Sequence, residues 1–309
     1  MKAEGGKWSH RFALLTAGAT LPLLFLGGLV TSKGAGLAVP DWPTTFGHNM
    51  FLFPWSGMIG DIFYEHSHRL FASGVGLLTI LLALSLWLDE RRRWLRWLGV
   101  AALALVVAQG VLGGLRVVWL EQTLAIVHGC LAQAFFGLAV SLALFTSTEW
   151  VEEPRVIELP DAARLRRLCV VTTALIYVQG VFGAVLRFSG SGLWLHLLFA
   201  ALVAVHVAFV SRRILRWHTQ ERKFVLPALL LAGLAIAQLF LGLGSYLAKF
   251  TALGAAIPGV ATVMLRTAHV VTGALLLGTG LVLTLRCYRI LTVPDASLRQ
   301  GLLAEQYSV

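Results

Sequence analysis

Charge is scarce in this sequence: Asp, Glu, Lys and Arg together make up 13% of its 309 residues, against 58% hydrophobic. A soluble fold carries about 25% charged residues, so that class is excluded and the bilayer becomes the solvent. Cysteine is almost missing. Cys130, Cys169 and Cys287 sit in or beside apolar runs at no regular spacing, which excludes a disulfide framework and a thiolate metal site. Long polar segments are also lacking, because the longest, 31–66 and 146–167, are too short for a soluble domain. No Ala-x-Ala-like site follows the first apolar run, so that run is expected to stay as a helix and not to leave as a signal peptide.

What is present is a series of apolar runs, each near the roughly 20 residues that a spanning helix needs. Eight are found, at about Phe12–Val30, Ser67–Trp87, Leu95–Val118, Leu124–Phe145, Leu168–Leu186, Leu193–Ile214, Phe224–Leu247 and Val263–Leu285. The formal charge of +10 could indicate a nucleic-acid partner, but its placement argues for none. With the N-terminus inside, six of the 25 Lys and Arg fall outside: Lys33, Arg69, Arg116, Arg187, Lys249 and Arg266. The remainder, including Lys2, Arg155 and Arg299, fall inside, so both termini are expected to be cytoplasmic, with basic side chains near anionic lipid. Tryptophans such as Trp8, Trp87, Trp119 and Trp217 lie near run ends, where an amphipathic ring favours the headgroup region.

The chain also aligns with itself. FLGGLVTSKGAGL (25–37) matches VFGAVLRFSGSGL (181–193), setting Gly27 on Gly183, Gly34 on Gly190 and Gly36 on Gly192. AQGVLGGL (108–115) matches AQLFLGLG (237–244), and VQGVFGAV (178–185) repeats the pattern. The expected fold is therefore an all-α integral membrane protein of eight transmembrane helices arranged as two duplicated four-helix bundles. Its parts are 1–150, with a long outer loop at 31–66, a cytoplasmic linker at 151–167, and 168–309. Gly110, Gly113 and Gly114 suit close helix approach, and Gln109, Gln179 and Gln238 can bond across helices. From Gly36 to His68 is 32 residues and from Gly192 to His196 only 4, so the loop is an insertion in the first half alone.

Histidines supply the chemistry. His10, His48 and His218 read as ordinary solvated or interfacial side chains. His68, His128, His196 and His269 each lie a few residues into an out-to-in helix, at similar expected depth, and buried polar groups there point to function. The repeat pairs His68 with His196 and His128 with His269, giving each bundle two facing imidazoles. That arrangement suits axial ligation of a haem iron, whereas zinc would require a third or fourth protein ligand. His206 lies ten residues after His196, about 15 Å along a helix, and is read as a packing or second-site residue. His66 points to a different side of its helix from His68. Arg69, Arg116, Arg187 and Arg266, at outer helix ends, are candidates to pair with haem propionates, or else snorkel to the interface.

EHSHR (65–69), IVHGCLAQAFF (126–136), RTAHVVTGALL (266–276), the loop GGLVTSKGAGLAVPDWP (27–43) and the duplicated layout resemble the haem A synthase family, CtaA/Cox15. The resemblance covers nearly the whole chain. It implies a membrane oxidoreductase of a bacterial-type cytoplasmic membrane that converts haem O to haem A for cytochrome oxidase, oxidising the methyl at ring position 8 to a formyl group. It further implies haem b as cofactor on His196 and His269, the haem O iron on His68 and His128, and Glu65 as the catalytic carboxylate. Haem O synthase and an electron donor would be partners, and a homo-oligomer is compatible. The loop departs from one subgroup of the family in lacking a cysteine pair, which removes loop thiols from any mechanism.

Sequence asymmetry agrees with this division. Glu65 and His68, at i and i+3, share a helix face, whereas Leu193, Trp194 and Leu195 precede His196. Glu65 is expected to stabilise positive charge on the oxidised methyl carbon or to take a proton from attacking water; its alternative role is a cap on the second helix. The alternative function is a dihaem b-type electron-transfer protein without its own chemistry, which explains four histidines but not a loop and carboxylate in one half only. A repeat-built transporter would need polar residues nearer the midplane. Asp41 and Asp61 read as solvated loop carboxylates, and Pro40, Trp42 and Pro43 as stiffening the loop.

Overall fold

The computed structural model describes residues 6–152, 156–217 and 221–293; Lys2, Arg155, His218, Arg299 and the side chain of Trp217 lie outside these. Among the described residues, eight helices are long and apolar enough to cross a membrane. They are α1 (Lys7–Lys33), α2 (Gly60–Asp89), α3 (Arg93–Trp119), α4 (Gln122–Phe145), α5 (Ala162–Ser189), α6 (Leu193–Trp217), α7 (Arg222–Phe250) and α8 (Gly259–Ile290). Most run past both ends of their apolar stretch, because backbone hydrogen bonding continues into the headgroup region, where polar side chains are solvated.

This extension corrects two expected boundaries. The loop after α1 is 34–59 rather than 31–66, so Asp61, Glu65 and His66 belong to α2. The linker shortens likewise, since α5 starts at Ala162. Before it, Thr148–Val151 forms a helical turn, and β1 (Ile157–Glu158) pairs in parallel with β2 (Leu291–Thr292). Gly34 (φ 76°) and Gly190 (φ 71°), matched by the self-alignment, end α1 and α5 in the same left-handed conformation.

Helices α1 to α4 pack in sequence and close where α1 meets α4; α5 to α8 close where α5 meets α8. The two rings join through α1–α8, α4–α8 and α4–α5. Small residues let the backbones approach at this seam: a Cβ on Gly28 would lie 2.9 Å from Thr267, and one on Gly278 would lie 3.2 Å from Phe136. Leu24, Phe136 and Ala274 fill the middle of the seam.

Each ring is solid towards the termini, around Leu82, Leu86, Leu95 and Leu142 in the first and Leu165, Ile214, Leu231 and Leu283 in the second. The same end carries ion pairs: Glu149 with Arg286 (2.8 Å) and Lys223 (3.6 Å), Arg92 with Glu90 (2.8 Å), and Arg213 with Asp161. The outer surface is apolar, with Leu15, Leu84, Val107 and Phe240 exposed along the helices and Trp8, Trp87, Trp97, Trp119 and Trp194 exposed near their ends. This is the surface a bilayer requires.

Gly278→Leu should overpack the seam by about 1–3 kcal/mol. Gly18→Leu, on a position with nothing within 4 Å, should stay within about 0.5 kcal/mol of the parent. Thermal inactivation of the two variants in detergent checks both.

Candidate functional site

At the end opposite the termini the rings are hollow. A cavity of about 1020 Å³ spans both halves and is lined by His68, His128, His196 and His269. It slightly exceeds the roughly 300–1,000 Å³ of a single small-molecule site. The histidines stand on α2 and α4 of one ring and α6 and α8 of the other, diagonally opposed in each.

All four imidazoles sit in the same kind of cradle. A Cβ on Gly27, Gly113, Gly183 or Gly242 would lie 3.1, 3.2, 3.1 or 3.1 Å from Cε1 of His68, His128, His196 or His269, respectively. Each glycine lies on the preceding antiparallel helix, and any side chain there would push the ring into the cavity. One turn deeper than each histidine stands Ala72, Ala132, Ala200 or Gly273, also lining the cavity, so the wall beneath each ring is nearly bare. A flat ligand can lie against such a wall.

The donors fit a haem. Ring centroids of His196 and His269 are 6.2 Å apart, a gap suited to one metal ion bonded to a nitrogen of each ring at about 2 Å. Nδ1 of His68, His128 and His269 is buried without a hydrogen-bond partner among the described residues, a costly state in an apolar interior. No group of three or more His, Cys, Asp or Glu is close enough to hold a metal ion among those residues, which disfavours a zinc site built from protein ligands. Two imidazoles per half leave four iron positions to a porphyrin.

The cavity mouth is cationic. Arg69, Arg116, Arg187, Arg266 and Lys249 line it, and Glu65 is the one carboxylate among its described lining residues. Arg187 donates to the Gly28 carbonyl and the Ser32 hydroxyl, both at 2.8 Å, while its Nε is buried without a partner. Lys249 was missed as a functional position, and its place among the six outer-side basic residues was the available sign.

Arg69 differs from the other three arginines. Its guanidinium donates to the carbonyls of Val39 (2.9 Å), Asp41 (2.7 Å) and Thr44 (3.2 Å) and to Glu65 Oε1 (2.7 Å). It clamps the loop, which takes up the donors a propionate would use. Glu65 Oε2 accepts from the Val39 N–H at 3.0 Å. His66, buried on the loop side of α2, meets the Thr45 hydroxyl at 3.2 Å and the Phe53 ring at 5.1 Å. Three side chains of α2 thus hold residues 39–45 and seat Trp42 flat against Gly114, beside the His128 cradle. Trp42 and Met50 line the cavity, so the loop covers the first half.

Several readings change accordingly. Glu65 does not cap α2, whose N-cap is Ile59 without a side-chain bond. Gly113 and Gly114 seat an imidazole and an indole where close helix approach was expected, and Gly110 faces open space. Asp41 is no free loop carboxylate: it accepts from the Thr44 hydroxyl (2.5 Å), Phe46 N–H (2.7 Å) and Gly47 N–H (2.8 Å). Burial is the largest single influence and raises its pKa, but the hydrogen bonds from Gly47, Thr44 and Phe46 together outweigh it and hold the group at about 2. Asp61 is exposed in the first turn of α2, where its charge complements the helix dipole. His206 does not line the cavity, and its Nδ1 is buried without a partner among the described residues. His10 bonds Thr146 at 3.1 Å, and His48 is exposed beside Phe53. Cys130, Cys169 and Cys287 are free thiols, the last two in contact at 3.8 Å in the solid part of the second ring.

Residues 57–195 match the family model COX15-CtaA, described as a cytochrome oxidase assembly protein. The chain is 28% identical over 316 residues to a heme A synthase of Shouchella clausii, covering 93% of this chain and 97% of that one. A heme A synthase of Alkalihalophilus pseudofirmus is 35% identical over 134 residues, 43% of this chain and 42% of that one.

Arg69→Met should release the loop, speeding chymotryptic nicking within 39–53 at least tenfold, whereas Arg116→Met should leave it near the parent rate. For Asp41 the lowered pKa sets the sign. Its contribution to the turn is complete above its ordinary value of about 3.9 and is lost as pH falls towards 2. Nicking by pepsin should therefore accelerate below about pH 4 in the parent, beyond the change seen in Asp41→Asn.

Proposed function

We propose that this chain, which matches the COX15-CtaA family model and resembles bacterial heme A synthases, is a haem A synthase that oxidises the methyl at ring position 8 of haem O to a formyl group. Its eight spanning helices and its bacterial relatives make it a multi-pass protein of a bacterial cytoplasmic membrane. In this reading both termini are cytoplasmic, residues 1–150 form the substrate half, 151–161 the linker and 162–309 the cofactor half. Haem O synthase would supply the substrate, an electron donor would serve the second half, and the oxidation of the methyl to a formyl group would draw on an external oxidant of the dioxygen class.

Haem b, when bound, supplies a one-electron carrier. His196 and His269 would hold it, and His68 and His128 would hold the iron of the substrate. Arg116, Arg187, Arg266 and Lys249 would pair with propionates, since a guanidinium meets a carboxylate with two parallel hydrogen bonds. Arg69 acts one step removed, through the loop.

The observation that carries the assignment of halves is the residue three before each histidine. These are Glu65 and Ala125 in the first half, Leu193 and Arg266 in the second, and all four line the cavity. The one carboxylate therefore shares a wall with His68. Held between Arg69 and the Val39 N–H, Glu65 presents a carboxylate charge at a fixed position to a cavity that Trp42 of the loop also lines. Such a charge stabilises positive charge developing on the methyl carbon, or accepts the proton of an attacking water.

Glu65→Gln should retain haem b and lower haem A formation by about 10²–10⁴-fold. Haems are extracted and separated by chromatography, with and without a haem O supply. Normal haem A production by the variant would sink the role of Glu65. Haem b alone in the parent under both conditions would turn the reading towards an electron carrier.

A further inference from the structure

The cavity is not equally deep in the two halves. Along α1 and α5 its lining reaches the matched residues Thr20 and Ile176, and along α4 and α8 the matched residues Phe135 and Leu276. Helices α2 and α3 go further. They line it down to Ile80 and Leu103, whereas their counterparts in the repeat, Ala208 and Ala232, lie outside the wall and α6 lines it only as far as Ala204. From His68 to Ile80 is 12 residues, about 18 Å of helix, against 8 residues and about 12 Å from His196 to Ala204. Gly76, Ile80 and Ala83 on α2 and Gly110, Leu103 and Gly99 on α3 follow at helical spacing, so one stripe of each helix faces the other. Towards the termini the stripes touch, where a Cβ on Gly99 would lie 2.9 Å from Leu86 and 3.5 Å from the Ala83 backbone. Nearer the histidines they part, and nothing lies within 4 Å of a Cβ on Gly76 or Gly110. The second half has Ala204 and Leu239 at those two places, both in the cavity wall. Ile80 and Val107 are exposed along the edge of the cleft. Gly180, an open glycine of the second half, shares a helix face with Tyr177, whose hydroxyl donates to the Cys130 carbonyl on α4 at 3.4 Å, so it opens on the seam between the rings.

Haem O and haem b share a macrocycle and differ in one substituent: haem O carries a farnesyl chain, on the side of the ring opposite its propionates. With the propionates at the cationic mouth, that chain points away from the mouth and along the helices, the direction in which the α2–α3 cleft runs. A resident haem b has no such chain, and its half has no such cleft among the described residues.

We propose that the α2–α3 cleft holds the isoprenoid tail of the substrate, and that Gly76 and Gly110 make the room for it and so select haem O over haem b in the first half. Packing along the cleft adds contacts that a haem without a tail lacks. The tail also orients the macrocycle. A haem held by its propionates alone enters with either face forward, and the two poses exchange the methyls that flank the propionates. A tail seated between α2 and α3 admits one pose, so the same methyl meets Glu65 at every turnover. The inference rests on the reading of haem O as the substrate of the first half.

The test titrates full-length protein, purified with haem b in its second half, with haem O or with haem b and follows first-half binding by absorbance. Loss of that signal in His68→Ala and His128→Ala assigns it. Gly110→Leu, which copies Leu239, should weaken haem O binding about 5–150-fold and leave haem b binding there at the parent value. Leu103→Trp, at the deep end of the cleft and away from the histidines, should do the same. In each variant the haem b spectrum of the second half reports the intact fold. Haem O binding unchanged in both variants means that lipid or detergent fills the cleft and overturns the inference. Equal weakening of the two haems overturns it too, because a haem without a tail does not reach the cleft. If neither haem binds the parent's first half, or if His68→Ala and His128→Ala leave the binding intact, the reading beneath it falls as well.

Discussion

Seating an imidazole in the apolar interior of a bilayer is costly, and this molecule does so four times with one device. A glycine on the antiparallel neighbour lets each ring lie against bare backbone, about 3.1 Å from where a Cβ would stand, and a small residue one turn deeper clears the wall beneath. The contact sets the distance between paired helices and the direction in which each ring nitrogen faces. Solid packing towards the termini supports it, because the helices are fixed where Leu and Ile fill the rings and can afford to diverge where the cavity opens.

On that repeated frame the two halves differ by a few side chains. The first adds a loop and the α2 residues that hold it: Glu65, His66 and Arg69 grip residues 39–45 from little more than one helical turn. Among the described residues the second half sets no such loop over the cavity and lines it with no carboxylate, and Arg266 stands where the first half has Ala125. Two sites of similar shape thus differ in charge and cover. Those are the properties that separate a substrate site from a cofactor site in the function proposed for the chain.

Much of this was legible before any coordinates. Apolar run lengths located eight helices because the bilayer thickness imposes them, and the self-alignment placed Gly27 on Gly183 and Gly113 on Gly242, the same glycines that receive the imidazoles. The small residue four after each of the four cavity histidines is visible in the sequence as well, though its meaning depends on knowing that the cavity lies there. Helix ends were less legible. The polar residues 60–66 look like loop when hydropathy alone is read, yet they continue α2, since hydropathy reports the solvent and not the backbone hydrogen bonds.

The sequence by itself determined the solvent, the number of spans, the repeat and the shared depth of four histidines, because periodicity and transfer energy act along the chain. Which side chains meet across it was decided only by the tertiary structure. Arg69 looks equivalent to Arg116, Arg187 and Arg266 as an outer-end cation, and only the folded loop shows that its donors go to carbonyls 25 to 30 residues away. Trp42 on Gly114, His66 on Thr45 and the glutamine beside each of two imidazoles are likewise invisible to spacing rules, since a hydrogen bond depends on distance in space and chain separation leaves that undetermined.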